Sequence, residues 1–226
     1  MADRRKQGST KAIRLASIVF ALVACATVAS AQSREGRWEL SIGPLYQGSN
    51  ALTFDGGSTL DTDSEWGFSG AFGYNISDSL ALNFGFQWTG VDYNAVVVRD
   101  DEGTTGISGT FDQWNTSAGL TFNFMEGPVV PYIGAGIGWM WVDTNIPNGL
   151  PTTGCWWDPW YGYICYTDYP TKTTDALSYQ ATAGIRFEYN PQAFVRLGYT
   201  SQWIDLDNAT TTPRFDVLTL DFGWMF

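Results

Sequence analysis

Val217-Leu218-Thr219-Leu220-Asp221-Phe222-Gly223-Trp224-Met225-Phe226 is the stretch whose reading decides the fold. Leu218, Leu220, Phe222, Trp224 and Phe226 are apolar at every even position, while Thr219, Asp221 and Gly223 break up the odd ones. A period of two is that of a β-strand, so this segment has one greasy and one mixed face. Which way the greasy face points depends on whether other segments share the pattern.

They do. Trp38, Leu40 and Ile42 alternate with Glu39, Ser41 and Gly43, and Trp66, Phe68, Phe72 and Tyr74 alternate with Gly67, Ser69, Ala71 and Gly73. The third segment sets Leu80, Leu82, Phe84, Phe86 and Trp88 against Ala81, Asn83, Gly85 and Gln87, and the fourth sets Trp114, Ala118, Leu120, Phe122 and Phe124 against Asn115, Ser117, Gly119, Thr121 and Asn123. In the fifth, Ile133, Ala135, Ile137, Trp139 and Trp141 oppose Tyr132 and three glycines, a pattern that suits close approach inside a small closed barrel. Leu177 to Tyr189 and Val195 to Trp203 supply the sixth and seventh. With the closing segment the sequence predicts eight strands of about 9 to 14 residues, long enough for a tilted membrane crossing.

Their links differ in length. The spans 47–65, 90–110 and 143–175 read as long loops, with Ala95 to Val98 able to extend the third strand, and 205–213 as a medium one. Asn75 to Ser79, Met125 to Pro128 and Asn190 to Gln192 read as short turns. Outer-membrane barrels have this asymmetry of brief periplasmic turns and extended outer loops.

The mixed faces decide the orientation. Glu39, Arg186, Glu188, Arg196 and Asp221 all fall opposite the aromatic sides, and a dry sandwich core could scarcely satisfy them. The apolar faces therefore point into lipid, and the five charged residues form an ion-pair network inside the barrel. Closing the sheet gives every backbone donor and acceptor a partner without leaving an edge. Trp66, Trp88, Trp114, Trp139, Trp141 and Trp203 collect at the loop ends of strands, and Tyr74, Phe124, Tyr189 and Phe226 at the turn or terminal ends, as two aromatic girdles would.

The 226 residues begin with Arg4, Arg5, Lys6, Lys11 and Arg14, then an apolar run from Leu15 to Val28, then Ala29-Ser30-Ala31. This predicts a signal peptide over residues 1–31, with the barrel domain over 32–226. Leu22-Val23-Ala24-Cys25 is a competing lipobox-like reading. Removing the leader takes five of the 12 basic residues and one of the 23 acidic ones, leaving a net charge of about −15. Such a surface repels nucleic acid.

No histidine occurs in the chain, so Ser-His and Asp-His catalytic sites are out of reach, and neither an enzyme nor a cofactor is expected. Asp61, Asp63 and Glu65, and separately Asp100, Asp101 and Glu102, read as solvated acidic loops rather than metal sites. Cys155 and Cys165, the cysteines of the mature part, would meet an oxidising periplasm and can pair. Between them lie Trp156, Trp157, Trp160, Tyr161 and Tyr163, a candidate recognition surface for an extracellular ligand or host surface.

Eight strands, the Pro131 to Trp139 segment and the terminal Phe226 together resemble the small Gram-negative outer-membrane barrels of the OmpA, OmpX and opacity-protein type. The resemblance implies an all-β, eight-stranded, antiparallel up-and-down barrel, exported through the Sec pathway, monomeric, and surrounded by outer-membrane lipid and lipopolysaccharide. It also implies that periplasmic chaperones and the barrel insertion machinery are partners, with Phe222, Trp224 and Phe226 as the assembly signal. A structural and surface-interaction role is expected. A narrow channel for small or apolar solutes, resembling OmpW-type proteins, is the alternative. A general porin is not expected, because eight strands leave an interior just wide enough for side chains to fill.

Overall fold

The computed structural model describes residues 33–53, 57–99, 103–147, 150–168, 171–205 and 212–226. The predicted leader, with Cys25, lies outside the described residues, as do residues 100–102. Twelve strands run through the described part: β1 (Trp38–Gln47), β2 (Asn50–Thr53), β3 (Thr59–Thr62), β4 (Glu65–Asn75), β5 (Leu80–Arg99), β6 (Gly103–Asn123), β7 (Val129–Pro147), β8 (Thr152–Asp158), β9 (Gly162–Asp168), β10 (Thr171–Asn190), β11 (Ala193–Ile204) and β12 (Arg214–Met225).

Eight of these close a barrel in the order β1-β4-β5-β6-β7-β10-β11-β12, each antiparallel to its neighbours. The ring is sealed by β12 against β1, where Ile42 faces Phe222 and Leu40 faces Trp224. Trp38 and Phe226 exchange backbone hydrogen bonds across that seam, both at 2.9 Å.

Alternation sets the two surfaces as the sequence requires. Along β12 the exposed Leu218, Leu220, Phe222 and Trp224 alternate with buried Val217, Thr219, Asp221 and Met225. Along β1 the exposed Trp38, Leu40 and Ile42 alternate with buried Glu39, Ser41 and Leu45. The apolar surface is outside and the polar one enclosed, which only a hydrocarbon surrounding makes favourable.

Three spans read as loops prove largely strand. β5, β6, β7 and β10 have 20, 21, 19 and 20 residues, against the 9 to 14 expected. Residues 50–53 and 59–62 pair as β2 and β3, and β3 pairs with β5 above the point where β4 leaves it. Residues 152–168 form the separate β8–β9 hairpin. Above the lipid no continuous greasy face is needed, so the period-two signal fades although the backbone pairing continues.

Inside the wall, two aromatic rings occupy the space that glycines leave. The Tyr132 side chain lies against Gly184 and Gly198, and the Phe194 ring lies on Gly223, where an added Cβ would collide with each ring. Close approach inside a narrow barrel is thus a steric requirement here.

Candidate functional site

The lumen is layered. At its periplasmic end Arg186 reaches Glu39 at 2.8 Å and Glu188 at 2.8 Å, and its guanidinium lies 3.8 Å from the centre of the Phe194 ring. Asn75 Nδ2 donates to Glu39 Oε1 at 2.8 Å. The other predicted charges form a neighbouring group: Arg196 donates to Ser41 Oγ at 2.9 Å and stands 3.5 Å from Asp221, whose second oxygen accepts from Ser69 Oγ at 2.7 Å. The five predicted charges therefore sit in one enclosed layer but in two clusters.

Sequence reasoning missed Arg34. It comes from the lead before β1, is 1% exposed, and pairs through Nε with Glu188 at 2.6 Å while Nη1 donates to the Asp78 carbonyl at 2.6 Å. The Asp78 carboxylate in the β4–β5 turn accepts from the Arg34 backbone N–H at 2.6 Å and from Ser33 Oγ at 2.9 Å, which holds its carboxyl below the ordinary carboxylate range. The signal was present as an imbalance. Two arginines against three carboxylates leave one negative charge uncompensated, and an enclosed charge needs a partner.

Above this floor a chamber of about 110 Å³ is lined by polar side chains including Ser69, Asn83, Thr121, Gln180 and Thr182. Ligand pockets usually span about 300–1,000 Å³, so this one holds only a few waters. Next comes a layer of amides. Gln113 Nε2 donates to Gln47 Oε1 at 3.2 Å, and Ser178 Oγ donates to Asn115 Oδ1 at 3.1 Å, with Gln202 buried at the same level. An apolar collar closes the outer end. Met140, Ala176, Ile204 and Phe215 pack with Leu52 of the β2–β3 hairpin, and Val91, Tyr93 and Phe111 pack beside them, with Leu60 touching both groups.

The β8–β9 hairpin carries the predicted recognition residues. Cys155 and Cys165 face each other across it and are disulfide-bonded, and Trp157 opposite Tyr163 extends the same face. At the tip Asp158 Oδ1 accepts from the backbone N–H groups of Trp160 and Tyr161 at 2.8 and 2.9 Å, and Gly162 takes a φ of 78° that favours glycine. Trp160 and Tyr161 are 85% and 83% exposed, while Trp156, Trp157 and Tyr163 are also exposed. Asp61, Asp63 and Glu65 form no metal-binding cluster with other groups among the described residues.

A closed antiparallel eight-stranded ring with greasy exterior and enclosed charges defines a transmembrane β-barrel. The chain belongs to the outer membrane protein beta-barrel domain family, which it matches over residues 17–226. Its fold is similar to that of neisserial surface protein A (17% identity, TM-score 0.50, covering 85% of this chain and 100% of that one). It is also similar to OprG from Pseudomonas aeruginosa (14% identity, TM-score 0.52, covering 85% of this chain and 97% of that one). No curated protein sequence matches the chain. Membership of this family places the protein in the outer membrane.

Proposed function

We propose that this outer-membrane barrel is a closed scaffold whose duty is surface recognition, carried by the disulfide-bonded aromatic hairpin. One contrast supports the reading: the lumen is stoppered at both ends, while Trp157, Trp160, Tyr161 and Tyr163 stand in solvent on a braced hairpin. Rigid aromatic side chains give large contact area at little cost in conformational freedom, and Trp and Tyr are enriched among residues that dominate binding. The partner is an extracellular ligand or host surface, and no nucleic acid or catalytic step is involved.

In this reading the chain is exported by the Sec route and held by periplasmic chaperones. The insertion machinery reads Phe222, Trp224 and Phe226, and the protein works as a monomer among lipid and lipopolysaccharide. Exchanging residues 152–168 for a Gly-Ser linker in whole cells tests it: adhesion is expected to fall to that of a deletion strain while surface display persists. Undiminished adhesion would sink the proposal.

The second reading, a narrow conduit for small or apolar solutes, draws on the collar of Met140, Ile204 and Phe215 at the outer mouth. Solute uptake that drops in a deletion strain, with adhesion unaltered, would favour it instead.

A further inference from the structure

Three amides meet inside the lumen with hydrogen-bonding capacity that no side chain uses. Gln47, Asn115 and Gln202 are each 1% exposed. Among the described residues, Gln47 Nε2, Asn115 Nδ2, Gln202 Nε2 and Gln202 Oε1 have no partner. A buried polar atom left without a partner bears the full cost of losing its hydration, so four of them in one layer need a reason.

The register sets the three around one space. Residues directly opposite on paired strands face the same side of the sheet. Gln202 pairs with Gln180, Asn115 with Gln87, and Gln47 with Val217, which in turn pairs with Thr200. Gln180, Gln87 and Thr200 line the chamber of about 110 Å³, so the free amides stand at its upper edge. In the ring β1 and β11 flank β12, and β6 lies across the lumen from them. Asn115 therefore faces Gln47 and Gln202 from the opposite wall, a gap that the bond from Gln113 to Gln47 already spans. Glycine in β7 helps to build this edge. At Gly138 an added Cβ would lie 2.7 Å from Ser178 Oγ and 2.9 Å from Asn115 Oδ1, and at Gly136 it would lie 3.2 Å from Gln180 Nε2. Without side chains there, Ser178 reaches Asn115 and Gln180 reaches Ser117 over the β7 backbone, which fixes Asn115 and Gln180 in place.

The chemistry of the free atoms selects their occupant. Three are N–H donors and one is a carbonyl acceptor, so the ligand both donates and accepts. An anion would leave Gln202 Oε1 bare, and a cation would meet the three N–H groups. Neither would find a counter-charge, because the amide layer is neutral and the floor matches three arginines with three carboxylates. An apolar solute would leave all four atoms unpaired. We propose that the upper edge of the chamber is a binding site for water, in which a small cluster bridges Asn115 to Gln202 and Gln47 and carries the hydration of the chamber into the amide layer. Water occupies about 30 Å³ in the liquid and makes about three hydrogen bonds when buried, which suits both the chamber and the number of free atoms. Turning an amide over exchanges donor and acceptor, and water serves either way. The lumen is thus joined across its middle by bound water, independently of the recognition hairpin.

Cross-relaxation from water to side-chain amide protons, recorded by NMR on the barrel in deuterated detergent, tests the site. Wild-type protein is expected to show cross-peaks with the sign of long-lived water at Gln47, Asn115 and Gln202, a result that needs no substitution. Gln202→Met, which keeps the length and removes both free atoms, is expected to erase the cross-peak at Asn115 without raising the urea midpoint. Absence of the wild-type cross-peaks, an Asn115 cross-peak that survives Gln202→Met at full intensity, or contacts to a polyol or detergent proton in place of water would each overturn the proposal. So would a higher urea midpoint for Gln202→Met, the mark of a dry amide relieved of its unmet bonds. Replacing residues 152–168 is expected to leave the cross-peaks intact, which separates this site from the recognition hairpin.

Discussion

The two ends of the lumen are shut by opposite chemistry. The periplasmic end is a layer of three arginines and three carboxylates reaching across the barrel from β1, β10, β11, β12 and the N-terminal lead. The outer end is a greasy collar in which side chains from β5, β6, β7 and β10 to β12 meet a hairpin folded over from β2 and β3. Charge pairing in an enclosed site is specific but brittle, because removing one member strands another. Apolar packing tolerates loss more evenly, since neighbours partly collapse into the gap.

The largest effect should come from the floor. Arg186→Leu leaves Glu39 and Glu188 short of a counter-charge, and barrel stability in urea is expected to drop by about 3–5 kcal/mol, read as the shift from folded to unfolded mobility on unboiled gels. Arg34→Gln is expected to cost less, because Arg186 still pairs with Glu188. The double variant Arg34→Gln with Glu188→Gln should lose less than the sum of the singles, and strict additivity would show that the buried pair does not couple.

At the collar, Phe215→Ala is expected to cost about 3 kcal/mol or less, with slow exchange still protecting the amides of β12 near Asp221. An equal loss of protection at both ends would erase the distinction drawn between them. Further out, replacing Cys155 and Cys165 together by serine should change barrel stability by no more than about 0.5 kcal/mol. Binding by whole cells should nonetheless be lost, because the β8–β9 hairpin is a two-stranded sheet of its own, braced across its middle by the bridge.

The smallest effect concerns the tether at Asp78. Its carboxyl is held below the ordinary carboxylate range by the Arg34 N–H and the Ser33 hydroxyl. The contribution is therefore fully present above the unfolded value of about 4 and disappears as pH falls through the lower folded one. Amide exchange at Arg34 is expected to quicken only below about pH 4. Quickening already at pH 6 would assign the tether to another group.

Comparison of the two ends also explains how much could be read from the sequence. Trp38 to Ile42 and Leu218 to Phe226 announced both strand and orientation because lipid on one side and an enclosed polar lumen on the other enforce a strict period of two. Gly103 to Thr110 did not: the segment Gly-Thr-Thr-Gly-Ile-Ser-Gly-Thr pairs along its length with β5, yet its alternation is lost above the lipid. The floor was half legible. Arg186 and Asp221 revealed themselves by breaking greasy alternation, whereas Arg34 sits outside any periodic segment and finds Glu188, 154 residues away, only once the barrel is closed. The free amides of the lumen were invisible, since an inward Asn or Gln that finds a side-chain partner and one that does not look alike until the neighbouring strands are in place.

The seam between β1 and β12 has a consequence for how the molecule comes into being. Trp38 and Phe226 stand at opposite extremes of the barrel domain, and the ring is not a ring until they meet. No partial chain can be a smaller working version of the whole, in the way a shortened solenoid can. Sealing is thus slow by topology and all-or-nothing in outcome, and until it happens every nascent copy carries two raw strand borders, each able to adopt a stranger's chain as its missing neighbour.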